Sequence, residues 1–136
     1  MSTVPLVSDE DASPAAQAVF DDIRETRGTQ TINNFWRALA HNPAELERVW
    51  ADVKRVMGPA EQEGRLDPLT KELIYIAVSV ANACTYCAHS HTAAARQKGM
   101  TNELYAELME IVSLAGRTNH LATMLQIPVD DAFDCS

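Results

Sequence analysis

The chain has 136 residues, enough for one domain that buries a core without disulfide or metal staples. Its 46% hydrophobic and 22% charged content is that of an ordinary globular protein. A net charge of −8 argues against nucleic acid and against anionic membrane surfaces, because both need a basic face.

The elements read as helices throughout, with no strand signal. Residues 1–12 form an irregular arm without the basic and apolar regions of a signal peptide, which places the chain in the cytoplasm. Ser13-Pro14 is a cap followed by proline at the first helical position, opening a helix to about Thr26 that Gly28 ends. A short helix is expected over Asn34–Ala40, with Phe35, Trp36 and Leu39 on its apolar face. Asn42-Pro43 opens a third helix that runs to Met57 and stops at Gly58-Pro59. The stretch GPAEQEGRLDP is the longest loop-like segment. Asp67-Pro68 restarts a helix through about Val80, with Leu69, Leu73, Ile76, Ala77 and Val80 sharing a face. Another helix starts near Cys84 and closes at Gly99, a natural left-handed terminator. Thr101 caps the last, where Leu104, Leu108, Ile111, Val112, Ala115 and Leu125 keep helical spacing and Gly116 is placed to bend it. Pro128 ends it, and 129–136 is a tail carrying Cys135 as a bystander. The expectation is an all-α, single-domain bundle of about six helices over 13–128, with no internal repeat. IYIAVSVA is far too short to cross a membrane.

Glu72, Cys84, Cys87 and His91 form the pattern E-x11-C-x2-C-x3-H. In a reducing compartment a C-x-x-C pair points to redox or metal chemistry rather than a structural bridge. At about 100° per residue, with Cys84 at zero, Cys87 falls near 300° and His91 near 340°. The three share a stripe about 60° wide, while His89 falls near 140° on the opposite side. His91 leans back over Cys87, its neighbour one turn earlier. Both sulfurs belong to the first turn, where unpaired N–H groups favour a thiolate. The residues alone leave open which thiol attacks first. Residues three apart on a helix have Cα atoms roughly 5–5.5 Å apart, within disulfide range.

In one unbroken helix Glu72 would lie about 18 Å from Cys84. A turn near Ala81–Ala83 makes an antiparallel hairpin instead, with Asn82 as the residue suited to left-handed geometry. Glu72 stands ten residues before Asn82 and His91 nine after it, so the two face each other. A carboxylate against an imidazole fixes its tautomer and supports it as a base. Other readings stand beside this one. The four side chains could bind zinc in a non-enzymatic redox-sensing module, although the fold itself needs no metal or cofactor. Glu72 could be an ordinary surface acid. Tyr75 and Tyr86 read as packing residues, Phe35-Trp36 as core or subunit contact, and His41 and His120 show no partner.

The motif, followed by TAAARQKGMTNELYAELM and preceded by NNFWRALAHNPAELERVW and GRLDPLTKELIYIAVSVAN, resembles the alkylhydroperoxidase D-like branch of the carboxymuconolactone decarboxylase superfamily. The resemblance covers roughly residues 32–115. It implies an all-α fold assembled as homo-trimers or homo-hexamers, and thiol-dependent reduction of hydroperoxides. By position, Cys87 matches the peroxide-attacking thiol, Cys84 the resolving one, and His91 with Glu72 the proton relay. It also implies an external dithiol reductant, a lipoylated protein in the best-known member. Tyr86 stands between the cysteines where that member has a histidine. The decarboxylase branch generally lacks the thiol pair, so a decarboxylase-like enzyme using His91 and Glu72 as acid and base is the second reading.

Overall fold

Three of the helices begin in the same way, with a short polar side chain followed by proline. The computed structural model, which describes residues 2–58 and 66–133, shows why each start is well defined. Ser13 accepts from the Ala16 N–H, Asn42 from Glu45 and Asp67 from Thr70. Each satisfies an N–H that has no carbonyl partner in its own helix, and proline at the next position has no N–H to satisfy. The described residues contain six α-helices and no strand: α1 (Pro14–Arg27), α2 (Asn34–Leu39), α3 (Pro43–Met57), α4 (Pro68–Ala81), α5 (Thr85–Gln97) and α6 (Asn102–Leu125). A short 3-10 turn follows at Asp131–Phe133. Cys135 and most of the segment between α3 and α4 lie outside the described residues.

The helices gather into two compact units, one holding α1–α3 and the other α4–α6. In the first, Phe20 and Ile23 of α1 pack with Trp36 of α2 and with Leu46 and Trp50 of α3. The two tryptophan rings meet edge to face with centroids 5.4 Å apart. The Trp50 Nε1–H donates to Asp22 at 2.8 Å, and Lys54 pairs with the same carboxylate. The arm before α1 is irregular in shape but tied down. Val7 exchanges backbone and side-chain hydrogen bonds with Arg37. His41 does have a partner, donating from Nε2 to the Pro5 carbonyl at 2.7 Å. Phe35 is exposed, so only Trp36 of that pair belongs to the core.

In the second unit, Ile76, Ala95 and Met100 are buried, with Leu69, Leu73, Leu104, Tyr105 and Leu108 packed against them. Of the expected α4 face, Ile76 is buried and Leu69 and Leu73 pack against the cluster, and the helix also buries Glu72 and Ser79. Val80 is exposed. The inward face is thus wider than the apolar one and reaches round to the acid. The physical reason is that α5 packs on the side bearing the acid, whose charge is satisfied there. Gly116 causes no break, and α6 runs unbroken for 24 residues.

Candidate active site

The turn between α4 and α5 delivers the first cysteine. Asn82 ends α4 in a near-helical conformation, and the left-handed residue is Ala83, at φ +53°, not Asn82. The Ala83 N–H bonds to the Val80 carbonyl at 3.1 Å, and the Cys84 N–H to the Ser79 carbonyl at 2.9 Å. This pair of bonds is the Schellman closure of a helix, which demands positive φ at the residue after the cap. Cys84 therefore leaves one helix-end motif and at once becomes the N-cap of α5. Its sulfur accepts from the Cys87 N–H at 3.3 Å, inside the first turn.

Cys84 and Cys87 are joined as a disulfide, with Cα atoms 5.3 Å apart. A pair at that spacing interconverts between dithiol and disulfide with little backbone movement. One turn beyond Cys87 stands His91, and α4 lies alongside. The His91 Nδ1–H donates to Glu72 Oε2 at 2.6 Å. Because an ionised carboxylate only accepts, Nδ1 must carry the hydrogen, which leaves the lone pair of the neutral ring on Nε2. His89 is exposed on the far side of α5, as the helical projection placed it.

Glu72 is 3% exposed, so it is no surface acid. Its other oxygen, Oε1, accepts from the Lys98 ammonium, which the sequence reading did not single out. Burial pushes the Glu72 carboxyl up, but the donors His91 and Lys98 and their charges more than offset this. The carboxyl is held below its ordinary value. A signal for Lys98 was present: the same projection puts it at about 320°, on the cysteine–histidine stripe, two turns past His91. Its long side chain reaches back toward the start of the helix, as helical side chains lean. Tyr75, one turn after Glu72, lies flat on the His91 ring, with centroids 3.6 Å apart and planes at 18°. It is more than packing filler, since it restricts rotation of the imidazole. Tyr86 is exposed between the two cysteines.

The arrangement combines a dithiol, a nitrogen base on the same helical face and a buried carboxylate that orients the base. Among the described residues, no group of three or more His, Cys, Asp and Glu side chains is arranged to hold a metal ion. No helix there is long and apolar enough to cross a membrane.

The chain is similar to several known proteins. The family model described as the carboxymuconolactone decarboxylase family matches residues 44–130. The crystal structure of the alkylhydroperoxidase AhpD core from Rhodospirillum rubrum is 56% identical, with a TM-score of 0.94 over 100% of this chain and 99% of that one. An uncharacterized protein of the cox locus of Paracoccus denitrificans is 40% identical over 53 residues, 39% of this chain and 45% of that protein. An (R)-2-haloacid dehalogenase from Pseudomonas putida is 27% identical over 110 residues, 80% of this chain but 35% of that enzyme. The chain thus spans less than half the length of either curated relative. The family model covers most of the chain and the near full-length structural match bears the alkylhydroperoxidase name, so this protein belongs to the carboxymuconolactone decarboxylase family, in its alkylhydroperoxidase D-like branch.

Proposed function

We propose that the protein is a cytoplasmic thiol-dependent peroxidase that reduces organic hydroperoxides through a Cys84/Cys87 dithiol–disulfide cycle. The observation that carries this reading is the pairing of the buried Glu72 with a half-buried His91 on the same side of α5 as two cysteines already within bonding distance. In the reduced protein, Nε2 of His91 takes the proton of the Cys87 thiol, while Glu72 stabilises the imidazolium. The thiolate attacks the terminal oxygen of ROOH. An S–O bond forms, the O–O bond breaks, and the alkoxide leaves with a proton as ROH. Cys87 is then a sulfenic acid. The Cys84 sulfur attacks it, forming the disulfide and releasing water. An external dithiol, such as a lipoylated protein, reduces the pair by thiol–disulfide exchange. Cys87 is favoured as the attacking thiol because it precedes His91 by one turn, whereas Cys84 precedes it by nearly two.

A second reading rests on the Glu72–His91 pair alone. An oriented imidazole can move protons on a small molecule without any thiol, and the family is named for a decarboxylase.

Intact mass with thiol alkylation decides between them. The reduced protein, given one equivalent of an organic hydroperoxide, is expected to lose two hydrogens and to block alkylation at Cys84 and Cys87. A dithiol then restores both. Thiols that stay alkylatable throughout would overturn the peroxidase reading. A Cys84→Ser/Cys87→Ser double variant with undiminished turnover of a small-molecule substrate would establish the second.

A further inference from the structure

We infer that Lys98 is a positioning residue of the relay: by sharing the Glu72 carboxylate it keeps His91 unprotonated and able to accept the thiol proton. This deepens the peroxidase reading and rests on it for its purpose, but not for its geometry. The carboxylate is almost wholly out of solvent, and its two oxygens are divided between two donors, Oε2 to the imidazole and Oε1 to the ammonium.

Charge counting gives the consequence. Without Lys98, the pair of buried carboxylate and half-buried neutral imidazole carries −1, and a proton taken up by the ring neutralises it. A ring proton then gains against the parent protein, because the buried carboxylate is left with a single donor. With Lys98 in place, the same cluster is neutral while the ring is neutral, and a second proton makes it +1. The lysine therefore opposes idle protonation of the base. It also holds Glu72 against rotation, so that Oε2 stays on Nδ1 and Nε2 stays free.

The ring has other groups around it. On α4 it meets Glu72 and the flat face of Tyr75. The titratable side chain that α6 adds to the apolar cluster is Tyr105, which lies 5.3 Å beneath the Arg96 guanidinium. Within α5, Cys87 stands one turn before His91, and Lys98 acts on the ring through the shared carboxylate. Lys98 holds its place because α5 stops there. Gly99 takes φ +97°, and the Met100 N–H closes on the Ala95 carbonyl at 2.9 Å, seating Met100 in the core.

The test is the ring titration of His91, followed by NMR on the full chain labelled with 15N-histidine, in the reduced protein and its variants. Lys98→Met is expected to move the midpoint for the second ring proton upward by roughly one pH unit or more, about tenfold in proton affinity. Lys98→Arg, which keeps the charge, should leave the midpoint near that of the parent. Should the methionine variant not fold, Lys98→Gln removes the charge while keeping a polar donor and serves the same comparison. An unmoved midpoint in a folded, uncharged variant would overturn the inference. The acid limb of peroxide consumption should shift with the NMR midpoint. If the parent protein consumes no peroxide, the peroxidase reading falls, while the titration still decides the role of Lys98.

Discussion

Glu72 carries two donors and almost no solvent contact, so its ionisation is linked to folding. Its carboxyl binds a proton less readily in the native protein than in the unfolded chain, whose ordinary value is 4.5. The resulting stabilisation is fully present above that value and is lost as pH falls through the lower native one. Glu72→Gln should destabilise the fold by roughly 1–3 kcal/mol at pH 7, because it breaks a buried charge-assisted hydrogen bond and disorients His91. The variant should also lose part of the acid sensitivity of the parent. Urea unfolding at pH 7 and near pH 3 checks this: the gap between the two proteins is expected to narrow at the lower pH, and a constant gap would rule out the linkage. At this scale the cysteine pair and His91 were legible, because helical spacing alone puts them on one stripe. The two additions, Lys98 and Tyr75, were harder to read. One reaches the site along a flexible stem, and the other acts through a ring contact between helices that no spacing rule states.

The hairpin of α4 and α5 is where element geometry makes the site. A three-residue connection, Asn82-Ala83-Cys84, reverses the chain and caps the next helix in one step. Ala83 has a Cβ in the left-handed region, where glycine is the relaxed choice. Ala83→Gly is expected to stabilise the fold by about 1 kcal/mol, read as a higher urea midpoint at unchanged slope. Its dithiol–disulfide behaviour should be unaltered. Asparagine was the natural guess for the left-handed position from residue preference. The observed bonds from Cys84 to Ser79 and from Ala83 to Val80 assign it instead to the residue after Asn82. The same element explains why the apolar face of α4 is only part of its inward side. Hydrophobicity points to Leu73, which packs inward, and to Val80, which is exposed, while a paired carboxylate and a serine bonded back to the Tyr75 carbonyl are buried at no great cost.

At the scale of the whole molecule, the unfinished surface is on α6. The helix has no fully buried residue, and Ile111, Leu114, Leu121 and Leu125 are exposed. Their spacing places them on one stripe about 80° wide, three or four residues apart in the rhythm of a helix-pairing seam with Thr118 between. A stripe of this kind left in water argues for a second copy of the chain as its cover, in keeping with a homo-trimer or homo-hexamer. Sedimentation of the parent should give a multiple of the single-chain mass, and Leu121→Glu should shift the distribution toward single chains. A parent that sediments as a single chain would overturn this expectation. The all-α class and the starts of the helices were readable because caps, prolines and glycines act within a few residues of themselves.

What the sequence by itself determined is local in origin: six helices, their caps and stops, and a dithiol and histidine on one face of one helix. Each follows from short-range hydrogen bonding and a fixed angle per residue. Tertiary structure decided the rest, because it depends on which face of one helix meets which face of another. The handing of Glu72 to both His91 and Lys98 and the stacking of Tyr75 on the imidazole arise only when α4 and α5 lie side by side. A buried charge is tolerated only where its partners converge, and those partners stand 19 and 26 residues away along the chain.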